Sequence, residues 1–477
     1  MARVLWQDLY AIQVDRTGRA LATHLAASEP SFDAADVGIQ GTGSANGKFL
    51  MPLNDHPNFK SPSGVIDTAQ ARGISTRHEG EYDTVQTGEP VEFTLPLNAH
   101  AYNIATFLPL LFQTGATEAA HAASAFSLNR LSCVPYTQAD SQYFAYITRH
   151  VQMASESDDI DLLVKGAIAS AITYSGESGG VLTQEVTIQG ASWSQTALNA
   201  YVNTLETAGF DKVNALKYQD SQIAFEDVFT YSYAYSVANG IEFDATGKTI
   251  TNSGGDAFTT GDCALAVGGG DYIYVKGSAL NDGRYLTDAV TTTEITLDSG
   301  ETLVDETASG IVTIAKVNWV TVNAPSMSVT VNNNPAWNYY NDDAASSVYM
   351  GMLTAEGSIS LPFGQDTVGE NYMISRFLNG EPLRIAWYWG QSGSAVSHEN
   401  DYDLNDATGP DRFKNDSSAT DPRNYFSIIM NAMVTDYEMA GDNELMVDCT
   451  LAAVKDSVNN AIEVYACYFD ELLDRIA

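Results

Sequence analysis

The chain has 477 residues, 44% of them apolar and 10% aromatic, with 60 acidic against 23 basic side chains and a formal net charge of −37. This length predicts two or three domains rather than one core, and the apolar content excludes a disordered chain. So strong and widely spread a negative charge argues against a surface that grips nucleic acid through phosphates, but not against one that DNA passes without adhering, and solubility or a salty habitat accounts for the charge equally well.

The 37 glycines, and short Thr-, Val- and Tyr-containing runs between turn residues, predict a mainly β chain. Cys133, Cys263, Cys449 and Cys467 stand far apart without metal-ligand spacing, which predicts scattered thiols in a reducing compartment. The opening stretch MARVLWQDLYAIQVDRTGRA is interrupted by Asp and Arg too early for a secretory leader. No apolar run reaches the ~20 residues of a membrane span, so the expectation is a chain folded in a cytoplasm without membrane contact.

In chain order, residues 1–60 are rich in Gly, Ser, Ala and Asp and read as an extended arm with a short element near Leu5–Val14. VEFTLPL from Val91 alternates as a strand, with Asn98 as the expected N-cap of a following helix. Ile104, Phe107, Leu108 and Leu111 then form one apolar helix stripe. The order recurs later: GSISLPF, then Ile374, Phe377 and Leu378 on a helix closed by NGEP. YNIATFL and YMISRFL agree at Tyr102/Tyr372, Ile104/Ile374, Phe107/Phe377 and Leu108/Leu378, and these eight residues are the expected core or inter-domain contacts.

Further matches follow in the same order. Tyr143–Ile147 (YFAYI) echoes Tyr425–Ile429 (YFSII), and the 24 residues from Ala167 lie without gaps on those from Met430, each reading as two strands around a polar turn. A duplicated domain is the inference, with copies at 61–239 and 317–477. Residues 240–316 have no counterpart and read as a small inserted β-domain, with Asp282-Gly283 as an expected type I′ hairpin turn.

Candidate chemistry is thin. GESGG at Gly176–Gly180 fits a nucleophile elbow around Ser178, but the following VLTQEVTI alternates as a strand, which favours a hairpin turn. EFDATGKT from Glu242 lacks the leading glycine of a phosphate loop, and GTGSANG from Gly41 lacks a preceding strand. DYDLNDATGPDR from Asp401 has Asp406 and Arg412 where a calcium loop needs Gly and Glu. PAWNYYNDD from Pro335 offers Trp337, Tyr339 and Tyr340 beside acids, suited to sugar stacking or to interface packing. No catalytic residue, cofactor site or metal site is expected.

KGAIASAITYSGESGGVLTQEVTIQG from Lys165 resembles the closing β-hairpin of tail tube proteins of long-tailed (siphovirus-like) bacteriophages. GDYIYVKGSALNDGRYLTDAVTTTEITL is similar to the small β-insert of many such proteins, with Gly277, Asn281, Gly283 and Tyr285 in matching places. VEFTLPLNAHAYNIATFLPLLFQTG resembles the strand–helix core of the same domain. Typical members are far shorter and carry one tube domain. The resemblance implies a mainly β (α+β) chain of two tandem tube domains, each a β-sandwich or barrel with a flanking helix, plus the insert as an outer decoration.

It further implies a non-enzymatic virion protein, put together in the host cytoplasm. Six-domain rings, here three chains, would stack into a tube that meets terminator, tape measure and distal tail proteins and lets DNA pass without tight binding. In the hairpins, Leu182, Val186 and Ile188 share a face, as do Leu445, Val447, Cys449 and Leu451. Opposite them lie Thr183, Glu185 and Thr187, and Met446, Asp448 and Thr450. Glu185, Asp448, Thr183, Thr187 and Thr450 are therefore the candidate channel lining, the bland alternative being an outer solvated sheet. A carbohydrate-binding β-domain protein is the alternative function, and a glycosidase using paired carboxylates a third.

Overall fold

Alternation of apolar and polar side chains drives most of this chain into strands, and Val91, Phe93, Leu95 and Leu97 are buried while the residues between them face outward or lie half-buried. The computed structural model describes residues 7–27, 48–51, 53, 66–69, 83–86, 90–120, 128–136, 142–152, 160–195, 215–227, 235–238, 240–252, 258, 272–338, 345–363, 373–374, 377–380, 382–391, 424–440, 445–456 and 459–469. The fold is mainly β, and every described strand pair is antiparallel.

The chain begins with β1 (Gln7–Arg19), α1 (Leu21–Ala26), β2 (Lys48–Leu50), β3 (Ile66–Ala69), β4 (Asp83–Gln86), β5 (Val91–Asn98) and α2 (Ala101–Phe112). It continues through β6 (Ala116–Ala120), β7 (Leu128–Cys133), β8 (Gln142–Gln152), β9 (Ile160–Glu177), β10 (Thr183–Gly190), β11 (Ser192–Gln195) and β12 (Ser221–Asp227). Next come β13 (Tyr235–Ala238), β14 (Ile241–Asp244), β15 (Thr249–Asn252), β16 (Tyr272–Lys276), β17 (Gly283–Val290), β18 (Glu294–Leu297), β19 (Glu306–Thr307) and β20 (Ile311–Lys316). The last stretch holds β21 (Asn318–Val322), β22 (Ser326–Asn332), β23 (Ala336–Asn338), β24 (Ser347–Tyr349) and β25 (Thr354–Pro362). It closes with β26 (Leu383–Gln391), β27 (Asn424–Ala440), β28 (Met446–Ala453) and β29 (Ile462–Phe469).

One succession of pairings occurs twice. β1 pairs with β2 and β8, β8 with β9, β9 with β10 and β11, and β10 with β5. In the same places, β12 pairs with β21 and β26, β26 with β27, β27 with β28 and β29, and β28 with β25. Residues 7–19, expected within an extended arm, are thus integral to the first half: Tyr10, Ala11, Ile12 and Val14 are buried against their surroundings. β12, assigned by the sequence to the first domain, pairs with β21 and β26 of the second half. A strand's own sequence carries no mark of its partner, so neither placement was visible locally.

The repeat is also out of register with the sequence echo. Glu185 faces Thr173, twelve positions back, whereas Asp448 faces Glu438, ten positions back, so the second hairpin is shorter. Glu185 also faces Pro96 while Asp448 faces Ser360, so Pro362 is not the counterpart of Pro96 despite the shared Leu-Pro. YFAYI lies on β8 and YFSII on β27, which are different members of the succession; the counterpart of β8 is β26. A slip of two residues leaves every side chain on its own face, which is why the echo still reported faces correctly. Both hairpins shift register at the same step, between Thr187 and Ile188 and between Thr450 and Leu451.

α2 carries Ile104, Phe107, Leu108 and Leu111, all buried in the main core. Its cap is His100, whose Nδ1 accepts the Asn103 N–H at 3.3 Å, while Asn98, the expected cap, ends β5. At the other end Gln113 adopts φ 52 and clamps Tyr143, accepting its N–H at 2.7 Å. The second helix keeps part of the expected stripe and adds Met373 to it. Met373 is buried, Phe377 is half-buried against the Tyr437 ring at 5.0 Å, Ile374 is half-buried, and Leu378, expected in the core, is 70% exposed. The Tyr102 and Tyr372 side chains lie outside the described residues.

Residues 235–316 form an eight-stranded sheet, more than the three strands expected, around a core of its own that includes Phe243, Ile250, Ile273, Val275, Ile295 and Ile314. Between β16 and β17 the chain does not make the expected two-residue turn. Gly277 (φ +94) starts a longer loop in which Asp282 accepts the Ser278 N–H at 2.7 Å. A Cβ on Gly277 would lie 2.4 Å from the Ile311 carbonyl oxygen, so only glycine fits.

Candidate functional site: an acid-lined sheet face

β9 serves two sheets. Its first part pairs with β8 and β11, its second with β10 and β22, and the bend lies at Gly166 (φ +63), whose Cα faces Leu21 and Ala191 too closely for a side chain. β22 also pairs with β25, joining the halves. The result is a row of seven antiparallel strands in the order β5, β10, β9, β22, β25, β28, β27.

The two faces of this row differ sharply. Phe93, Leu95, Val186, Ile188, Ile172, Val329, Val331, Ile359, Val447, Leu451 and Val434 point into one core shared by both halves. Behind that core lies a second layer containing β12, β26 and β29, which contributes Ile223, Phe225, Trp387, Trp389, Phe426 and Val464. The outer side of that layer, at Ala224, Trp319, Ala386, Tyr388 and Tyr465, packs against Tyr272, Tyr274 and Leu286 of the eight-stranded unit. Directly paired residues share a face, so the order of layers is wet row, core, second sheet, insert.

On the wet side, one rung reads Pro96, Glu185, Thr173, Thr330, Glu356, and another Glu177, Ser326, Ser360, Asp448, Glu438. Hydroxyls bond across strands: Thr173 with Thr330 at 2.9 Å, Ser175 with Thr183 at 2.6 Å, Ser328 with Ser358 at 3.1 Å, and Ser360 to Asp448. The charged residues of this face are Glu92, Glu177, Glu185, Glu356, Asp436, Glu438 and Asp448, all exposed, and no Lys or Arg stands among its described positions. Thr183, Glu185, Thr187, Asp448 and Thr450 are therefore brought onto one surface, as their phase in the sequence predicts. Glu92, Glu177, Glu356, Asp436 and Glu438 were missed, although the alternation in VEFTLPL already puts Glu92 on the polar phase. Beneath the face, burial and then Asp448 push the Cys449 thiol up to about 12, keeping it neutral.

A second charged cluster lies in the interior. Glu226 sits 3.5 Å from both Arg284 and Arg384; Arg384 donates to Glu463 at 3.2 Å, and the Tyr465 hydroxyl donates to the same carboxylate at 2.7 Å. The guanidinium groups stand over Tyr272 (Arg284, 5.5 Å) and Trp319 (Arg384, 5.8 Å). Since Arg284 belongs to β17 and the others to the second sheet, this network fastens the insert to the half that carries it.

The other sequence candidates do not converge. Ser178 lies in the hairpin turn with Gly179 at φ +83, and its N–H bonds the Pro325 carbonyl oxygen. Glu242–Thr249 is a β-hairpin in which Asp244 accepts the Thr246 and Gly247 N–H groups, so no helix follows to hold phosphate. Trp337 packs on the cluster around Leu21 and Val348 and donates to Gln189 at 2.8 Å, beside an open groove of about 420 Å³ lined by Ser170, Thr187, Asn332 and Asn334. Tyr339, Tyr340, the 401–412 loop and the Gly41 segment lie outside the described residues. Among the described residues no His, Cys, Asp and Glu group could hold a metal, and no helix is long and apolar enough to cross a membrane. No family model matches this sequence, and no curated protein does.

Proposed function

We propose that this chain is a structural protein of a phage tail, the tail tube protein itself, three copies of which close a ring of six similar units that stacks into a channel for genome exit. The observation that carries this reading is the seven-stranded row: two halves with one pairing succession contribute to a single sheet whose exposed face, at its described positions, bears carboxylates and hydroxyls without a base. Turned toward a channel, that face repels phosphate, so DNA slides rather than adheres. The insert lies beyond the core on the opposite side and would stand on the outer wall. Three chains supply six units because each chain supplies two. The chain acts without catalysis or cofactor, meets terminator, tape measure and distal tail proteins at the tube's ends, and resides in the virion tail after assembly in the host cytoplasm.

Negative-stain micrographs of the purified protein are the first test, with rings or tubes of three-fold character expected. Replacing Glu185 and Asp448 together with Lys should leave tubes intact and slow DNA ejection several-fold. Monodisperse monomers that bind a glycan array would overturn the proposal in favour of carbohydrate recognition. The inward packing of Trp337 counts against that second reading.

A further inference from the structure

The seven-stranded row ends in two edges without a described strand partner beyond it: β5 pairs only with β10, and residues 433–440 of β27 only with β28. Neighbours in the row alternate in direction, so its first and seventh strands run the same way. Abutting them directly would put a parallel pair into an antiparallel sheet, and left open they invite uncontrolled pairing. The middle of the row meets the same condition. β9 and β25 also run the same way, and β22 lies antiparallel between them, with Thr330 opposite Thr173 on one side and Glu356 on the other.

β27 and β9 hold equivalent places in the recurring pairings, as do β5 and β25. One strand equivalent to β22 is therefore missing between the β27 edge of one chain and the β5 edge of the next. The described strands upstream of β5 in that stretch are β3 and β4, a two-stranded sheet joined to neither half. β3 ends at residue 69 and β5 begins at 91, the same spacing as from 332 at the end of β22 to 354 at the start of β25.

We infer that β3 of one copy leaves β4 and inserts between its own β5 and the β27 edge of a second copy, so that the junction within the chain is repeated between chains. The partner is another molecule of this protein, bound head-to-tail, and repetition of the contact closes the ring. Carrying the internal register across, with Glu438 in the place of Thr173 and Glu92 in that of Glu356, puts Ile66 in the place of Thr330 and so opposite Glu438. This rests on the ring reading for closure, while the edge pairing stands on the strand geometry.

Cysteine cross-linking separates the two. Glu438→Cys is combined with Ile66→Cys, and in a second variant with Asp67→Cys, which covers both faces of β3. Oxidised samples run without reductant should give a ladder ending at trimer for one combination, lost with dithiothreitol and absent from each single variant, because disulfides need Cβ atoms ~4 Å apart. Rings in micrographs with no cross-link in either combination overturn the strand assignment and leave the tube reading standing. Cross-linked open chains without rings support the edge pairing and overturn closure. Protein that neither cross-links nor forms rings at any concentration overturns both.

Discussion

The two halves reach the same pairing succession with different means, most visibly at the bend of the long hairpin strand. In the first half Gly166 turns the strand by adopting φ +63, and the Lys165 carbonyl then receives the Ala191 N–H. In the second half the Asn431 carbonyl receives the Val454 N–H, and its amide reinforces the bend by donating to the Val454 carbonyl at 2.9 Å and to Asp456 at 3.1 Å. A corner can be made by removing a side chain or by hydrogen-bonding one, and the fold accepts either. The halves differ again between their first two strands, where the first has α1 and the second carries the eight-stranded unit. Such an insertion costs little when the flanking ends stay close.

The largest expected effect falls on the second half alone. Arg384→Ala leaves Glu226 and Glu463 buried with their shared cation gone, and should destabilise by about 3–5 kcal/mol. Thermal melts should show this, with proteolysis of residues 235–316 accelerating, because the same network holds the insert.

Next comes an acid-sensitivity that belongs to the first half. Burial lowers the His100 pKa from 6.5 to about 4, so the folded protein keeps this ring neutral while the unfolded chain protonates it. The contribution is fully present above pH 6.5 and is lost as pH falls toward 4, reaching about 3 kcal/mol. His100→Asn retains a capping acceptor and should flatten the stability profile between those limits in urea melts; an unchanged profile would remove His100 as the source.

The smallest effect sharpens the comparison of the bends. Gly166→Ala forces a side chain into left-handed backbone against Leu21 and Ala191, at about 2 kcal/mol. Asn431→Ala orphans one carbonyl and should cost about 1 kcal/mol. Equal melting shifts would mean that the corners are not built differently.

Much of the candidate site was legible because it depends on a period of two. Thr183, Glu185 and Thr187 had to share a face, and so did Asp448 and Thr450, whatever their partners. The core role of Ile104, Phe107 and Leu108 was equally readable from helical spacing. Leu378 was not: the shared YxIxxFL phrase suggested a stripe of Ile374, Phe377 and Leu378, whereas Met373 joins Phe377 on the inner side and Leu378 turns outward, and nothing local distinguishes the two. Glu226, Arg384 and Glu463 lie scattered along the chain, so no window could reveal that they meet.

By itself the sequence determined which strand residues turn toward water and which toward a core, since alternation is local and survives a slip of two residues. Which edges meet was decided only in three dimensions. Backbone hydrogen bonds are nearly blind to side-chain identity, so the pairing of β1 with β8, of β12 with β26, and of β22 between the halves was chosen by packing of the whole core. The acidic surface exists for the same reason: local patterning set each carboxylate outward, and tertiary pairing gathered them onto one sheet.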